Sequence, residues 1–431
     1  MNNNETDVVQ DKTVEALKQE NARLNSLLQI TQSLSSTINL DKLLTKITDI
    51  VRITLRADRC SVFLLDRERN ELWSKIATGM KKEIRFPANK GIAGHVATSG
   101  EVLNIPDAYA DSRFNPDIDK KTGYRTRNML TMPMRNNQGE IIGVFQVLNK
   151  DKGAFTNEDE DLLTAISGVA AASIENAQLY DELNKSFVSF IETLSSALDA
   201  RDYITSGHSR RVTLYAVEIA SLMRLSQEQI NVIRYASLLH DIGKIGIPEI
   251  VLFKNKKLTE DEYEIIKRHA TLSKSILSKI HFQRHLRDIP AIAASHHEKI
   301  DGTGYPEGLK GEQIPLGGKI IAVCDVFDAL TSRRQYRDRM ELEKVMDILE
   351  NETASSFEPF VVYQFKNIPL NVLIEILEFG HNDDLDRDDL AFLRNYTLKD
   401  LLQVRRNQPD DANERRVEEV FMRYYLRKYR L

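Results

Sequence analysis

The chain has 431 residues, 42% of them apolar and 29% charged, the composition of a soluble globular protein with room for two or three domains. A net charge of −5 excludes a global basic field for long nucleic acid, so a nucleotide ligand must be gripped by a local cluster. Two cysteines, Cys60 and Cys324, make no disulfide framework. The polar start MNNNETDVVQ lacks a signal-peptide core, and no apolar run reaches the roughly 18–20 residues of a membrane span, so a cytoplasmic protein without a membrane partner is expected.

Residues 1–26 read as a polar, disordered tail leading into a coiled-coil helix. Val14, Leu17, Asn21, Leu24 and Leu28 alternate three and four apart, a heptad seam with one Asn at an a position. Buried Asn at such a position favours a parallel dimer, so a homodimer is expected; the alternative is an amphipathic helix lying on its own domain. From Asp41 to Lys150, short β-rich runs at 60–65, 102–105 and 141–148 alternate with Gly, Asn and Asp turns, as in an α/β sensor-sized domain. A long helix starts near Asn157. Its 3–4 register runs through Leu162, Ile166, Val169, Ser173, Asn176, Tyr180, Leu183, Phe187, Phe190 and Leu194, crossing a boundary near residue 184 where no Gly or Pro breaks it. Such a helix (linker 181–200) can carry a rotation from one domain to the next, or act as a rigid spacer. Residues 186–365 read as all-α, with loops at 246–248 and 302–318. Residues 370–431 add further helix of unassigned role, with an acidic patch at 383–389 and a basic aromatic end at 415–430.

Five of the nine histidines fall in one region beside suitable carboxylates. The strings are GHSRRV (His208), LLHDIGKIGIP (His240, Asp241), IKRHA (His269), HHEKIDGTGYP (His296, His297) and AVCDVFDAL (Asp325). Imidazole and carboxylate without thiolate suit iron, manganese or zinc. Seven ligands exceed one tetrahedral ion and suit two ions about 3.5–4 Å apart, which can activate water and clamp the attacking and leaving oxygens of a phosphoryl displacement. Cys324, next to Asp325 on an expected helix, diverges from it by about 100° and is read as packed rather than ligating. His281 and His285 are one turn apart without a carboxylate and are read as surface or core residues.

These strings resemble the HD-GYP family of bacterial phosphodiesterases over nearly all of residues 186–365. Both signatures are present: His240-Asp241, and His296, His297, Glu298, Asp301, Gly302, Gly304, Tyr305, Pro306. The resemblance implies that His208, His240, Asp241, His269, His296, His297 and Asp325 are metal ligands, with Asp241 bridging and catalytic. It implies that Lys244 stabilises charge at the substrate phosphate, and that Arg334, Arg337 and Tyr305 contact substrate; Arg suits bidentate phosphate contact. A glutamate that supports a third metal in some members is Ile204 here, so two divalent ions are expected, iron first and manganese second. The usual proline after the first phosphate-binding arginine is Gln335.

The stretch ADRCSVFLLD…KGIAGHVATSGEVLNIPDAYAD…TGYRTRNMLTMPM…NKDKGAFTNEDE resembles the regulatory GAF domains of cyclic-nucleotide phosphodiesterases, over residues 27–180. Its hallmark is complete in Asn149, Lys150, Phe155, Asp159 and Glu160. The resemblance implies a structural Lys150–Asp159 ion pair and a pocket lined by Ser61, Ile92, Ala93, Asp119, Thr122, Thr126 and Gln146. Thr122 and Thr126, four apart, would present both hydroxyls on one helix face. Ala77 and Thr78 stand where some cGMP-binding relatives carry an aromatic residue and a base-reading aspartate, which tilts the expectation from cGMP towards cAMP.

The expected protein is therefore an α/β GAF sensor (antiparallel sheet with helices) and an all-α HD-GYP domain, joined by long coiled-coil-like helices. It would hydrolyse cyclic di-GMP to pGpG or GMP under control of cAMP or cGMP. The rival expectations are a hybrid cyclic GMP–AMP substrate, a catalytically silent signalling module, and an HD-type mononucleotide phosphohydrolase.

Overall fold

The computed structural model describes residues 17–18, 21, 24–74, 83–201, 207–254, 256–332, 338–407 and 411–427. Val14, Ala77, Thr78, Ile204, Arg334, Gln335 and Arg337 lie outside the described residues. The chain divides into two units, Met1–Ser186 and Phe187–Leu431.

The first unit is built on one antiparallel sheet in the order β3-β2-β1-β6-β5-β4. Its strands are β1 (Ala57–Asp66), β2 (Glu71–Ser74), β3 (Ile84–Pro87), β4 (Leu103–Ile105), β5 (Met129–Arg135) and β6 (Ile141–Lys150). Alternation along β1 gives the sheet two faces. Cys60, Val62 and Leu64 turn towards α2 (Leu40–Thr54) and the start of α5 (Asn157–Arg201), meeting Leu43, Ile47, Val51, Ile166 and Ile174. Each such buried aliphatic contributes about 1.5–3 kcal/mol. Phe63 on the other face packs with Val144 and with Ala93 and Val96 of α3 (Gly91–Ser99). The Asn39 side chain accepts from the Lys42 N–H and starts α2.

The helix of residues 24–35, α1, and the middle of α5 each keep an apolar face outside this core. Leu163, Ile166, Ala170, Ile174 and Ala177 point inward, whereas Leu179, Tyr180 and Leu183 are exposed, as are Leu17, Leu24 and Leu28. No helix among the described residues is long and apolar enough to cross a membrane.

The second unit is helical. It comprises the end of α5, α6 (His208–Leu222), α7 (Gln227–Leu239), α8 (Glu249–Leu252), α9 (Glu260–Leu277), α10 (Ile289–Ala294), α11 (Leu316–Thr331), α12 (Leu342–Asn351), α13 (Pro359–Lys366), α14 (Leu370–Leu377), α15 (Arg387–Leu393), α16 (Leu398–Asn407) and α17 (Ala412–Tyr425). Ser226–Gln229 and Thr259–Glu262 form capping boxes that start α7 and α9. One core runs through the whole unit: Tyr215, Phe327 and Phe365 share it with Leu373, Leu393, Leu401, Phe421 and Tyr425 from the last four helices.

Candidate metal centre

Each histidine of the cluster stands at a helix end or on a packed helix face. α6 opens on His208, after Gly207 at φ +74°, a left-handed conformation that favours glycine. His240 caps the end of α7, and Asp241 leads into a tight turn at Ile242–Gly246. His269 lies on α9, His296 and His297 follow α10, and Asp325 lies on α11. The turn after Asp241 rests directly on α9, because a Cβ at Gly243 would overlap the His269 carbonyl. Ser273 stitches the two together, its Oγ accepting from the Gly243 N–H at 2.9 Å and donating to the His240 carbonyl at 2.7 Å.

Three rings are oriented by their own backbone. The Nδ1 atoms of His240, His269 and His296 lie 2.6, 2.7 and 2.7 Å from the carbonyls of Ser237, Ile266 and Ala293. A carbonyl only accepts, so each Nδ1 carries the proton and each Nε2 presents a lone pair. His208 uses a carboxylate instead: its Nδ1 lies 2.7 Å from Asp328 Oδ2, and its Nε2 3.0 Å from Asp325 Oδ1. Arg211 holds Asp328, with Nε at 2.7 Å, and also reaches the Ser332 hydroxyl.

The free nitrogens converge. His269, His296 and His297 can meet one ion; His208, His240 and Asp325 can meet another; His240, Asp241 and His296 join the two sets, with the ligand atoms within 4.8 Å in every set. Asp241 lies between, one oxygen 3.4 Å from His240 Nε2 and the other 3.5 Å from His269 Nε2. His240 Nε2 is buried without a hydrogen-bond partner among the described residues. A buried polar atom left so costs about 1–3 kcal/mol, and a cation removes that cost. The donor set of imidazoles and carboxylates fits divalent ions of the iron, manganese and zinc type.

Charge is arranged to match. Burial holds His269 and His296 below the ordinary imidazole range and His297 at about 4, so all three are neutral, the form that ligates. Burial would raise the Asp241 carboxyl, but Lys244, at 2.6 Å, and the surrounding histidines outweigh it and keep the group ionised. His208 differs: burial lowers it, but Asp325 and Asp328 prevail and raise it to about 10. Without metal it is an imidazolium between two carboxylates. Burial also pushes the Cys324 thiol well up, so this fully buried neighbour of Asp325 stays a packed thiol.

The loop 298–310 is folded back over the histidines. Glu298, buried, accepts from the N–H groups of Glu307 at 2.7 Å and Leu309 at 2.9 Å. Asp301 accepts from Thr303, and the Tyr305 N–H donates to the His297 carbonyl. The Tyr305 ring lies against the His297 ring with centroids 4.7 Å apart. Glu298 and Asp301 thus shape the loop, while Tyr305 and Lys244 border the cluster.

In the first unit, Ser61, Gln146 and Thr131 pair in register across β1, β6 and β5. Their side chains form a polar row on the α3 side of the sheet, where Ile92 and Ala93 are buried. Asp119 is buried and already partnered, accepting from the Thr126 N–H at 2.7 Å, the Thr126 hydroxyl at 3.0 Å and the Tyr109 hydroxyl at 3.1 Å. The expected shared helix face of Thr122 and Thr126 is not formed. α4 (Asp117–Thr122) stops at Gly123, which is left-handed at φ +68°, and Thr126 lies beyond the helix. Lys150 and Asp159 form an ion pair, and the Thr156 N–H and hydroxyl also donate to Asp159.

Sequence reasoning missed Asp328, Arg211 and Thr131. Asp328 could have been found from its spacing, three residues after Asp325 and so on the same helix face. Thr131 Oγ, wholly buried and without a partner among the described residues, was findable only through the strand register.

The chain matches the HD domain family over residues 192–361 and the GAF domain family over residues 39–174. It is 36% identical over 204 residues to the 3'3'-cGAMP-specific phosphodiesterase 2 of Vibrio cholerae, covering 47% of this chain and 39% of that protein. It is 39% identical over 188 residues to the cyclic di-GMP phosphodiesterase of Thermotoga maritima, covering 44% and 51%. It is also 40% identical over 185 residues to the dual 3',5'-cyclic-AMP and -GMP phosphodiesterase 11A of Takifugu rubripes, covering 40% and 20%. The chain spans about half the length, or less, of these relatives.

Proposed function

We propose, from a chain that carries a GAF domain followed by an HD domain, that the second unit is a two-metal phosphodiesterase that opens cyclic di-GMP to pGpG, or cleaves it further to GMP. The observation that carries this reading is the convergence of buried, unprotonated Nε2 atoms on the two sides of Asp241. In hydrolysis a water oxygen bonds to phosphorus, a ring P–O bond breaks, and the released sugar oxygen takes a proton. Two divalent ions, iron first and manganese second, supply activation of that water and neutralise charge when bound. His208, His240 and Asp325 would hold one position, His269, His296 and His297 the other, and Asp241 both. Lys244, next to Asp241, would balance charge on the phosphate, and the Tyr305 face would meet the substrate. Arg334 and Arg337 are proposed as phosphate contacts from the resemblance alone.

The first unit is proposed to bind cAMP or cGMP over the Ser61–Gln146 row. Leu17, Leu24, Leu28, Leu179, Tyr180 and Leu183 offer exposed apolar faces that support a homodimer, testable by sedimentation. A hybrid cyclic GMP–AMP substrate is favoured by the Vibrio cholerae relative; side-by-side turnover of both dinucleotides decides between them. The deciding experiment for the activity is metal analysis with product chromatography on cyclic di-GMP, wild type against Asp241→Ala. Wild type is expected to form linear product, and the variant to fall to background. Equal turnover by the two proteins would overturn the mechanism.

A further inference from the structure

The helices after Pro369 touch the metal cluster's supports at two places. At the first, Phe379, just past α14, lies beside Gly207: a Cβ built there would be 3.8 Å from the Phe379 ring. Gly207 immediately precedes His208. At the second, Arg339 is held by four acceptors of the C-terminal helices. One terminal nitrogen donates to the Leu377 carbonyl and to Glu378 Oε1, both at 2.8 Å, and the other to the Tyr425 carbonyl at 3.1 Å and the Tyr424 carbonyl at 3.4 Å. Arg339 and Glu378 are both buried, with side chains 7% and 0% exposed. Guanidinium suits this task because its planar fork spreads donors over separate nitrogens that serve acceptors of two segments, whereas an ammonium concentrates three donors on one atom.

The next residue completes the link. Met340 accepts from the Tyr425 hydroxyl at 2.6 Å, and its N–H donates to the carbonyl of Leu330, in the last turn of α11. That turn carries Asp328 and leads to Ser332, whose hydroxyl donates to Asp328 Oδ2 at 2.8 Å. The C-terminal helices therefore lie against the start of α6 at Gly207 and hold the Arg339–Met340 segment, which in turn bonds to the last turn of α11 at Leu330, two residues beyond Asp328. The His208–Asp328 contact joins these two helices across 120 residues.

The geometry points to the C-terminal helices as a brace for one of the two metal positions, with Arg339 as its positioning residue. The inference rests on the reading of this cluster as a metal centre. It assigns to residues 370–427 the spacing between α6 and α11, and so the distance from His208 Nε2 to Asp325. The His269–His296–His297 position draws on α9 and the end of α10 and does not depend on that spacing.

The test uses the full chain, stripped with chelator and titrated with Mn²⁺ by calorimetry, with thermal unfolding run in parallel. Wild type is expected to bind two equivalents. Arg339→Met is expected to keep one unchanged and weaken the other by about tenfold or more. Arg339→Lys and Tyr425→Phe are expected to remain folded and to weaken the same equivalent by a few-fold. If Arg339→Met does not fold, these two variants decide. Folded variants binding both equivalents as wild type does, or losing both equally, would overturn the brace. Wild type that binds no metal sinks the metal centre and the brace together. Metal-binding wild type that turns over no cyclic dinucleotide sinks only the proposed substrate.

Discussion

The two units treat their buried polar groups in opposite ways. In the second, three of the rings around Asp241 are oriented from behind by backbone carbonyls, and one inward nitrogen, His240 Nε2, is buried without a partner among the described residues. In the first, Asp119 and Thr126 satisfy each other, and Asp159 is saturated by Lys150 and Thr156. An open buried atom costs free energy until a ligand arrives, whereas a satisfied one resists a ligand that must displace its partner. The second unit is built to be completed by something it binds; among the described residues of the first, Thr131 Oγ is the buried side-chain atom left without a partner.

That contrast can be broken at several points. Removing metal should lower the unfolding temperature of the second unit and leave the first unchanged, seen as one transition moving in calorimetry. At a metal concentration about a thousandfold above the dissociation constant, the loss is about 4 kcal/mol. Asp328→Asn should weaken metal binding about 10–100-fold by freeing the His208 ring, read by titration. The same titration should show proton release on metal uptake by wild type, because His208, raised to about 10, must shed its proton to ligate.

Lys150→Met should cost the first unit about 2 kcal/mol, measured by urea unfolding. Burial would raise the Asp159 carboxyl, but Lys150 and Thr156 prevail and lower it below its unfolded value. Its stabilisation is therefore full above the unfolded carboxylate pKa of about 4 and is lost as pH falls through the lower folded value. Lys150→Met should flatten that acid dependence. The smallest effect is expected of Thr131→Val: ligand-free stability unchanged or higher by up to about 1 kcal/mol, since an unpartnered buried hydroxyl contributes nothing. A fall in stability there would show that Thr131 has a partner after all.

The histidine and aspartate strings that the fold brings together were legible in the sequence because metal chemistry restricts residue type, and seven such residues in short motifs seldom occur by accident. Asp328 was not, because one aspartate on a helix is ordinary until another helix brings a histidine to it. Glu298 was legible as part of a motif, but its work, holding two N–H groups of its own loop, is visible only in three dimensions. The sheet was partly legible. β5 lies between two strands yet contains Pro133, which argues against an interior strand; the ladder shifts register just after it, at Met134/Arg135. The C-terminal helices were seen as helices but not as core, because α14 to α17 are short and separated by turns, so no long period marks their buried face. The Thr122–Thr126 pairing failed because a glycine between them ended the helix.

The manner in which the rings are oriented also sets an order in time. His240, His269 and His296 each take their bearing from a carbonyl three residues back, so they are aimed as soon as a single helical turn forms. His208 takes its bearing from Asp328, and that contact must close a loop of 120 residues. A refolding chain can therefore aim these three rings as soon as their helical turns form, and the His208 ring only after that loop has closed.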